Sequence, residues 1–216
     1  MAISKKDVSL HQSRKLRCWY MEYKAIDLGL PSGRLWADRN VGAEKETDYG
    51  LYFQWGDTVG YADASHSTWE TCPVNGGNST YNKDSIAAWN ADNLSDGLLK
   101  SGVDAATVNM GDNWRMPTLE DCIELINNTN HEYVEIDGVK GRKFSHKDDP
   151  SKYIFLPFAG VAAVGSFAYQ GIGGLIWSSS VNSGSPANAY LVGADESGCG
   201  DSAYFRYSAL SVRGVC

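Results

Sequence analysis

Glycine sets the length of structure this chain can build. Twenty-three glycines are scattered among 216 residues, together with seven Trp and twelve Tyr. Each glycine weakens a helix interior by roughly 1 kcal/mol relative to Ala, and supplies the positive φ that tight turns need. A chain punctuated this often suits short strands joined by many turns, with aromatic rings filling one core. It does not suit a long-helix bundle. Its length fits one sizeable domain.

The turn chemistry locates the elements. EYKAIDLGLPSGRLWADRNVG reads as a strand, a Leu-Pro-Ser-Gly turn and a second strand, Pro31 presetting one turn angle and Gly33 supplying the permissive one. Residues 51–55 form an aromatic strand. Residues 61–84, rich in Ser, Thr, Asn and Gly, read as a long surface loop. A second irregular region, 90–113, holds the weakly helical SGVDAATVNMG. The clearest helix is 118–128: Thr118 and Asp121 make a variant capping box, and Leu119, Cys122, Ile123 and Ile126 recur at three and four residues. Asp137-Gly138 marks a hairpin, and 152–160 a buried strand. The expectation is an α+β domain over 21–216, made of short antiparallel strands and hairpins, one or two helices and long irregular loops. A basic N-terminal arm over 1–20, with Lys5, Lys6, Arg14, Lys15 and Arg17, precedes it as a tail or an oligomer-forming segment.

Several functions are disfavoured by what the chain lacks. A net charge of -7 argues against a nucleic-acid partner, because phosphate binding needs a basic face. No stretch approaches the roughly 20 apolar residues of a membrane span, and the N-terminus lacks the apolar run of a secretory signal. The expected location is therefore cytoplasmic or virion-associated, unless the sequence is part of a surface protein. Cys18, Cys72, Cys122, Cys199 and Cys216 contain no CxxC pair, so free thiols are expected and a zinc site is not. GxSxG, HExxH, a Walker loop and a strand-turn-helix GxGxxG are all missing. His11, His66, His131 and His146 are scattered and read as surface residues. Carboxylates gather at Asp148-Asp149 and Asp195-Glu196, with Asp201 nearby, but no DxDxDG calcium loop occurs. No metal, cofactor or catalytic residue is expected.

One combination of motifs is specific. AIDLGLPSGRLWADRNVGA, YGLYFQWGDT, DNLS, VDAATVNMGDNWRMPTLEDCIELI, IFLPFAG, GLIWSSS and YFRYSALSVRGV follow one another in that order over about residues 23–215. In this the chain resembles the Fibrobacter succinogenes major paralogous domain proteins of Bacteroidetes. The resemblance implies a C-type-lectin-like fold, shared with the variable proteins of diversity-generating retroelements. There an error-prone reverse transcriptase rewrites adenine positions near the 3′ end of a gene, and the fold displays the altered residues. Many members of that family are secreted or lipidated; this chain shows no signal, which favours a phage-encoded retroelement target, or a trimmed piece of a longer protein, over an ordinary surface lipoprotein.

The terminal stretch fits a display role. Between Val181 and Leu210 there is no Lys, Met, Gln or Trp. Glu196 is the one residue there outside the set reachable by adenine substitution of an AAC codon. The candidate variable region is 176–213, with Trp177, Ser178, Val212 and Arg213 as frame. The candidate ligand-binding residues are Val181, Asn182, Ser183, Leu191, Gly193, Asp195, Ser202, Tyr204, Phe205, Ser208 and Leu210. Strand alternation puts Leu191, Gly193 and Asp195 on one face, with Tyr190 and Val192 inward. Tyr204 and Phe205 offer large contact area at low entropic cost, though neighbours on a strand do not both face out. The expected partner is a protein or glycan on a cell surface. Two alternatives stand beside this: a formylglycine-generating-type enzyme using Cys199 with Cys216, and a structural surface or virion component.

Overall fold

The structure, a computed structural model, describes residues 22–216. The basic arm expected over 1–20 lies outside the described residues. Strands are short, as the glycine spacing requires. β1 (Ala25–Asp27) and β2 (Leu35–Ala37) pair antiparallel across the expected turn, where Gly33 has a φ of 72° and donates to Leu30 O at 2.8 Å. β3 (Tyr52–Gln54) is buried along its length. Next come α1 (Lys83–Asn93), the two-residue strands β4 (Leu94–Ser95) and β5 (Leu98–Leu99), α2 (Ala105–Met110) and α3 (Leu119–Asn128). β6 (Asn130–Ile136) and β7 (Val139–Ser145) form the hairpin at Asp137-Gly138, whose φ values of 51° and 78° are the pair a type I′ turn demands. β8 (Tyr153–Pro157) extends that sheet. β9 (Val161–Ala163), β10 (Ser166–Ala168), β11 (Gly173–Val181), β12 (Asn188–Asp195), β13 (Cys199–Phe205) and β14 (Ala209–Ser211) follow.

The protein is α+β, with three α-helices among the described residues where one or two were expected. The unexpected helix is α1. Asn82 caps it, accepting from Asp84 N–H at 3.1 Å and Ser85 N–H at 3.0 Å, but only Ile86 of its residues is buried. A helix without an apolar stripe carries no periodic signal. α3 is as expected: Thr118 Oγ1 accepts from Asp121 N–H at 3.2 Å, and Asp121 Oδ2 accepts from Thr118 N–H at 2.8 Å. Its Cys122 and Leu125 are buried.

A nine-stranded sheet carries the C-terminal half, in the order β10-β9-β14-β11-β12-β13, with β3 on β14 and β5 on β11. One face of β11 and β12 supplies Ile176, Val192 and Ala194 to a core shared with α3, Phe144 and Leu156. The other face supplies Trp177, Ala189 and Leu191 to a second core with Phe53, Trp55 and Ile86. Polar bonds fix the indoles of the second core. Trp177 Nε1 donates to Phe53 O at 2.9 Å, and Trp55 Nε1 donates to Ser178 O at 2.8 Å. Buried indole N–H groups need such partners. The chain end is tied to β2, Leu35 and Cys216 exchanging backbone hydrogen bonds at 3.1 and 3.0 Å.

The long segment 61–84 is organised by one side chain. Asn75 is sealed from solvent; its Nδ2 donates to Trp69 O, Asn78 O and Thr80 O, and its Oδ1 accepts from Asn82 N–H at 2.8 Å. That arrangement delivers Trp69 to the surface beside β13, in contact with Phe205 and Tyr207.

Candidate functional site

An open groove of about 610 Å³ lies across β11, β12 and β13. The ladder explains which side chains reach it. Leu191 pairs with Ser202, Gly193 with Gly200 and Ala189 with Tyr204, so these alternate residues share one face, while Val192 and Ala194 point to the α3 side. Leu191, Gly193, Asp195, Ser202 and Tyr204 all line the groove. Leu191, Gly193 and Asp195 share a face of β12 as expected and Val192 is buried on the other, but Tyr190, expected inward, is half-buried.

Each end of the groove has its own construction. At one end, Asp195 and Gly198 flank the two-residue β12–β13 turn. Asp195 Oδ1 accepts from Ser197 N–H at 2.7 Å, Ser197 Oγ at 2.6 Å and Gly198 N–H at 3.0 Å. Those bonds, the Ser197 hydroxyl first, hold its carboxyl below the usual range. Behind the turn, Arg142 Nη1 donates to Asp195 O at 2.8 Å. At the other end stands Tyr204, whose phenol is pushed up by partial burial. The side wall is Tyr169 and Ile172, 57% and 65% exposed, an unusual degree for large apolar residues. Tyr169 has a φ of 61°, a conformation rare outside glycine.

The structure corrects three of the candidate residues. Leu191, Ser208 and Leu210 are buried, at 1%, 0% and 0% exposure. Leu191 is the floor of the groove and also part of the core beneath it. Ser208 and Leu210 belong to the run into β14, an interior strand between β9, β11 and β3, where every residue is buried and alternation no longer separates surface from core. The remaining candidates reach the surface in different places. Val181 is half-buried at the end of β11, and Asn182 shapes the turn after it by accepting from Gly184 N–H at 3.0 Å and Ser185 N–H at 3.2 Å. Ser183 is exposed in that turn, away from the residues lining the groove. Phe205 is 47% exposed and does not line the groove; it stacks on Tyr207 at 5.5 Å and meets the edge of Trp69 at 6.4 Å, with Tyr81 against Trp69 at 5.5 Å. Tyr204 and Phe205 thus serve two neighbouring surfaces, the groove and an aromatic cluster.

Sequence reasoning missed Tyr169, Ile172, Leu175 and Gly200, the partner of Gly193. The available signal was GVAAVGSFAYQGIGG, whose large apolar residues fall between glycines with no strand pattern to bury them. Cys199 also lines the groove, half-buried, and its thiol is pushed up by burial although Arg142 opposes the shift. Cys72, Cys122, Cys199 and Cys216 are free thiols. Among the described residues no group of three or more His, Cys, Asp or Glu is placed to hold a metal ion, and no helix is long and apolar enough to cross a membrane.

Fold and groove together define an α+β protein with an open groove on the sheet formed by its C-terminal strands. Comparison with family models, with curated proteins and with solved structures finds no match for this chain.

Proposed function

We propose that this chain is a ligand-binding display protein with a C-type-lectin-like fold, resembling the retroelement-diversified variable proteins, whose C-terminal face holds a protein or glycan. The observation that carries the reading is the division of labour along β11 to β14. Trp177, Ser178, Val212 and Arg213 are buried in hydrogen-bonded positions or core, whereas Ser183, Asp195, Ser202 and Phe205 are exposed. Exposed side chains on a rigid ladder that make no structural bond change at little cost to the fold, which is what display requires; Asp195, whose Oδ1 holds the β12–β13 turn, is the exception. The groove and the adjoining aromatic cluster offer apolar area with few long flexible side chains, an economical contact surface.

An enzyme using Cys199 draws no support from the site. An activated thiolate needs its proton affinity lowered, and burial here raises it.

The decisive experiment varies Ser183, Ser202, Tyr204 and Phe205 together in a displayed library, leaving Asp195 to hold its turn. Most members keep a cooperative thermal transition, and selection on immobilised proteins and glycans enriches binders at these positions. Loss of folding in most members overturns the reading. A near-copy of the 3′ coding sequence with mismatches confined to adenines, next to a reverse-transcriptase gene, identifies the source of the diversity.

A further inference from the structure

β13 ends the nine-stranded sheet, and among the described residues no strand pairs with its outer side. Two hydrogen bonds fix the phase of the β12–β13 ladder: Asp195 N–H to Gly198 O and Arg206 N–H to Ala187 O, both 2.9 Å. With the observed register, Gly200, Ser202 and Tyr204 exchange bonds with β12, so the N–H and C=O groups of Asp201 and Ala203 point away from it. Among the described residues no backbone group pairs with them from outside the sheet. An edge in this state is a template for another chain.

The floor of the groove beside that edge is side-chain-free. Gly193 and Gly200 sit opposite one another, and neither has a positive φ. Glycine is disfavoured in a strand interior, so the backbone gives no reason for the pair. The space above does. A Cβ on Gly200 would meet nothing within 4 Å, and one on Gly193 only Leu191 Cδ1 at 3.6 Å. The pair keeps a slot open in the groove. An aromatic side chain from a neighbouring strand can cover a glycine at a sheet edge; among the described residues no strand beyond β13 supplies one.

Charge selects the rest of the ligand. Asp195 is the charged side chain in the groove lining, and its Oδ1 is committed to the turn while Oδ2 is left to solvent. Asp201 is exposed on the opposite face of β13.

We propose that the β13 edge takes an extended peptide as an added antiparallel strand. An aromatic side chain of the peptide lies over the Gly200–Gly193 pair, and the residue before it, Lys or Arg, stands opposite Asp201. This rests on the reading of the C-terminal face as a recognition surface and narrows the ligand to a peptide strand with a basic-aromatic step. The phase dictates the order. The residue facing Asp201 exchanges hydrogen bonds with it and shares its side of the sheet. The aromatic residue facing Gly200 occupies a non-hydrogen-bonded pair, where Cα atoms approach to about 4.5 Å and side chains cross the strand most closely. A second copy of this chain is a poorer occupant, because it carries a net charge of -7 and no Lys on β13 to meet Asp201, and the register centred on Asp201 sets two carboxylates against each other.

The test titrates the full-length chain with the peptide acetyl-Thr-Val-Thr-Lys-Trp-Thr-amide, followed by calorimetry and backbone NMR. Saturable binding is expected, with the largest shifts at Asp201 and Ala203. N-methylation of the peptide Lys, whose N–H meets Asp201 O, weakens binding at least about tenfold, whereas N-methylation of the Trp, whose N–H faces away, leaves it unchanged. Gly200→Val fills the slot and weakens the Trp peptide about tenfold, with little effect on the same peptide carrying Ala for Trp. No saturable binding at millimolar peptide, equal loss from both N-methylations, or a β13-mediated dimer of the chain removed by Ala203→Pro would each overturn the inference. Where the probe fails but the displayed library stays folded and yields binders, strand addition is wrong and the display reading stands. Where the library unfolds, the display reading itself is wrong.

Discussion

Arg213, sealed from solvent near the end of the chain, donates through Nε at 3.0 Å and Nη2 at 2.8 Å to Oδ1 of Asn40. A second acceptor, Phe155 O, lies 2.8 Å from Nη2. Burial lowers the guanidinium to about 10, a measure of how poorly this site solvates a charge. Neutral oxygens do the work that a carboxylate would do in an ion pair. They also bind three distant parts of the chain, the loop after β2, strand β8 and the C-terminal run, to a single cation.

Asn40→Leu removes the shared acceptor and leaves a buried cation with one partner. The expected loss is about 3 kcal/mol, since an uncompensated buried charge is among the costliest defects a fold can carry. Urea unfolding followed by tryptophan fluorescence checks it, through a fall in midpoint at unchanged slope. A midpoint within experimental scatter of the parent would show that Arg213 finds other solvation.

Asp121 gives the fold a defined acid limb. Partial burial raises its carboxyl, but the Arg115 hydrogen bond, the Thr118 N–H and the charges of Arg115 and Arg34 outweigh that, and the net direction is downward from 3.8. Arg115 Nη1 lies 2.7 Å from Oδ2 and Arg34 Nε 3.5 Å from Oδ1. A carboxyl with a depressed folded value contributes stability that is fully present above 3.8 and lost as pH falls through the folded value. Asp121→Asn is expected to cost about 1 kcal/mol at pH 7, because both arginines are part-exposed and screened, and to flatten the decline of stability below pH 4. Stability measured from pH 7 to 2 in parent and variant decides this.

Local chemistry explains which parts of the fold were legible in the sequence. The turns at Pro31-Gly33 and Asp137-Gly138 and the capping box of α3 depend on residues within four positions of one another. Alternation along β12 was readable in part, because Gly193 and Asp195 on one face reach the groove, while Leu191 on that face is sealed by the core beneath it. β14 was not, because strands on both sides and cores on both faces bury Ser208 and Leu210 alike, a fact set by the order of strands rather than by any residue near them. α1 was missed for want of an apolar stripe. The groove was half legible: β12 and β13 lie in the stretch singled out for its composition, but Tyr169 and Ile172 become a wall only because the β10–β11 segment returns beside β11.

Cys199 supplies a chemical check on the groove. Its thiol is raised by partial burial, so the thiolate is scarcer at neutral pH than in a free cysteine. Alkylation by iodoacetamide, followed by peptide mapping to separate it from Cys18 and Cys216, is expected to be slower at pH 7 than that of glutathione. Faster alkylation would mark an activated thiol and reopen the case for covalent chemistry at this site.

Gly160, which donates to Gly173 O of β11 from just before β9, and Gly193 of β12, which pairs with Leu175 of β11, are expected to respond in opposite ways to substitution by Ala. Gly160 has a φ of 70°, and a Cβ there would run into Ala168 O and come within 2.6 Å of Gln170 N, backbone atoms that cannot move aside without unmaking the β9–β10 hairpin. Gly160→Ala is therefore expected to cost more than about 2 kcal/mol, the left-handed penalty adding to the clash. Gly193 has neither constraint, and Gly193→Ala is expected to be neutral or to stabilise by about 0.5 kcal/mol, because alanine leaves less backbone entropy to lose on folding. Thermal unfolding of the two variants provides the comparison. A destabilised Gly193→Ala would mean that the glycine serves the backbone after all, and the open slot above it would lose its significance.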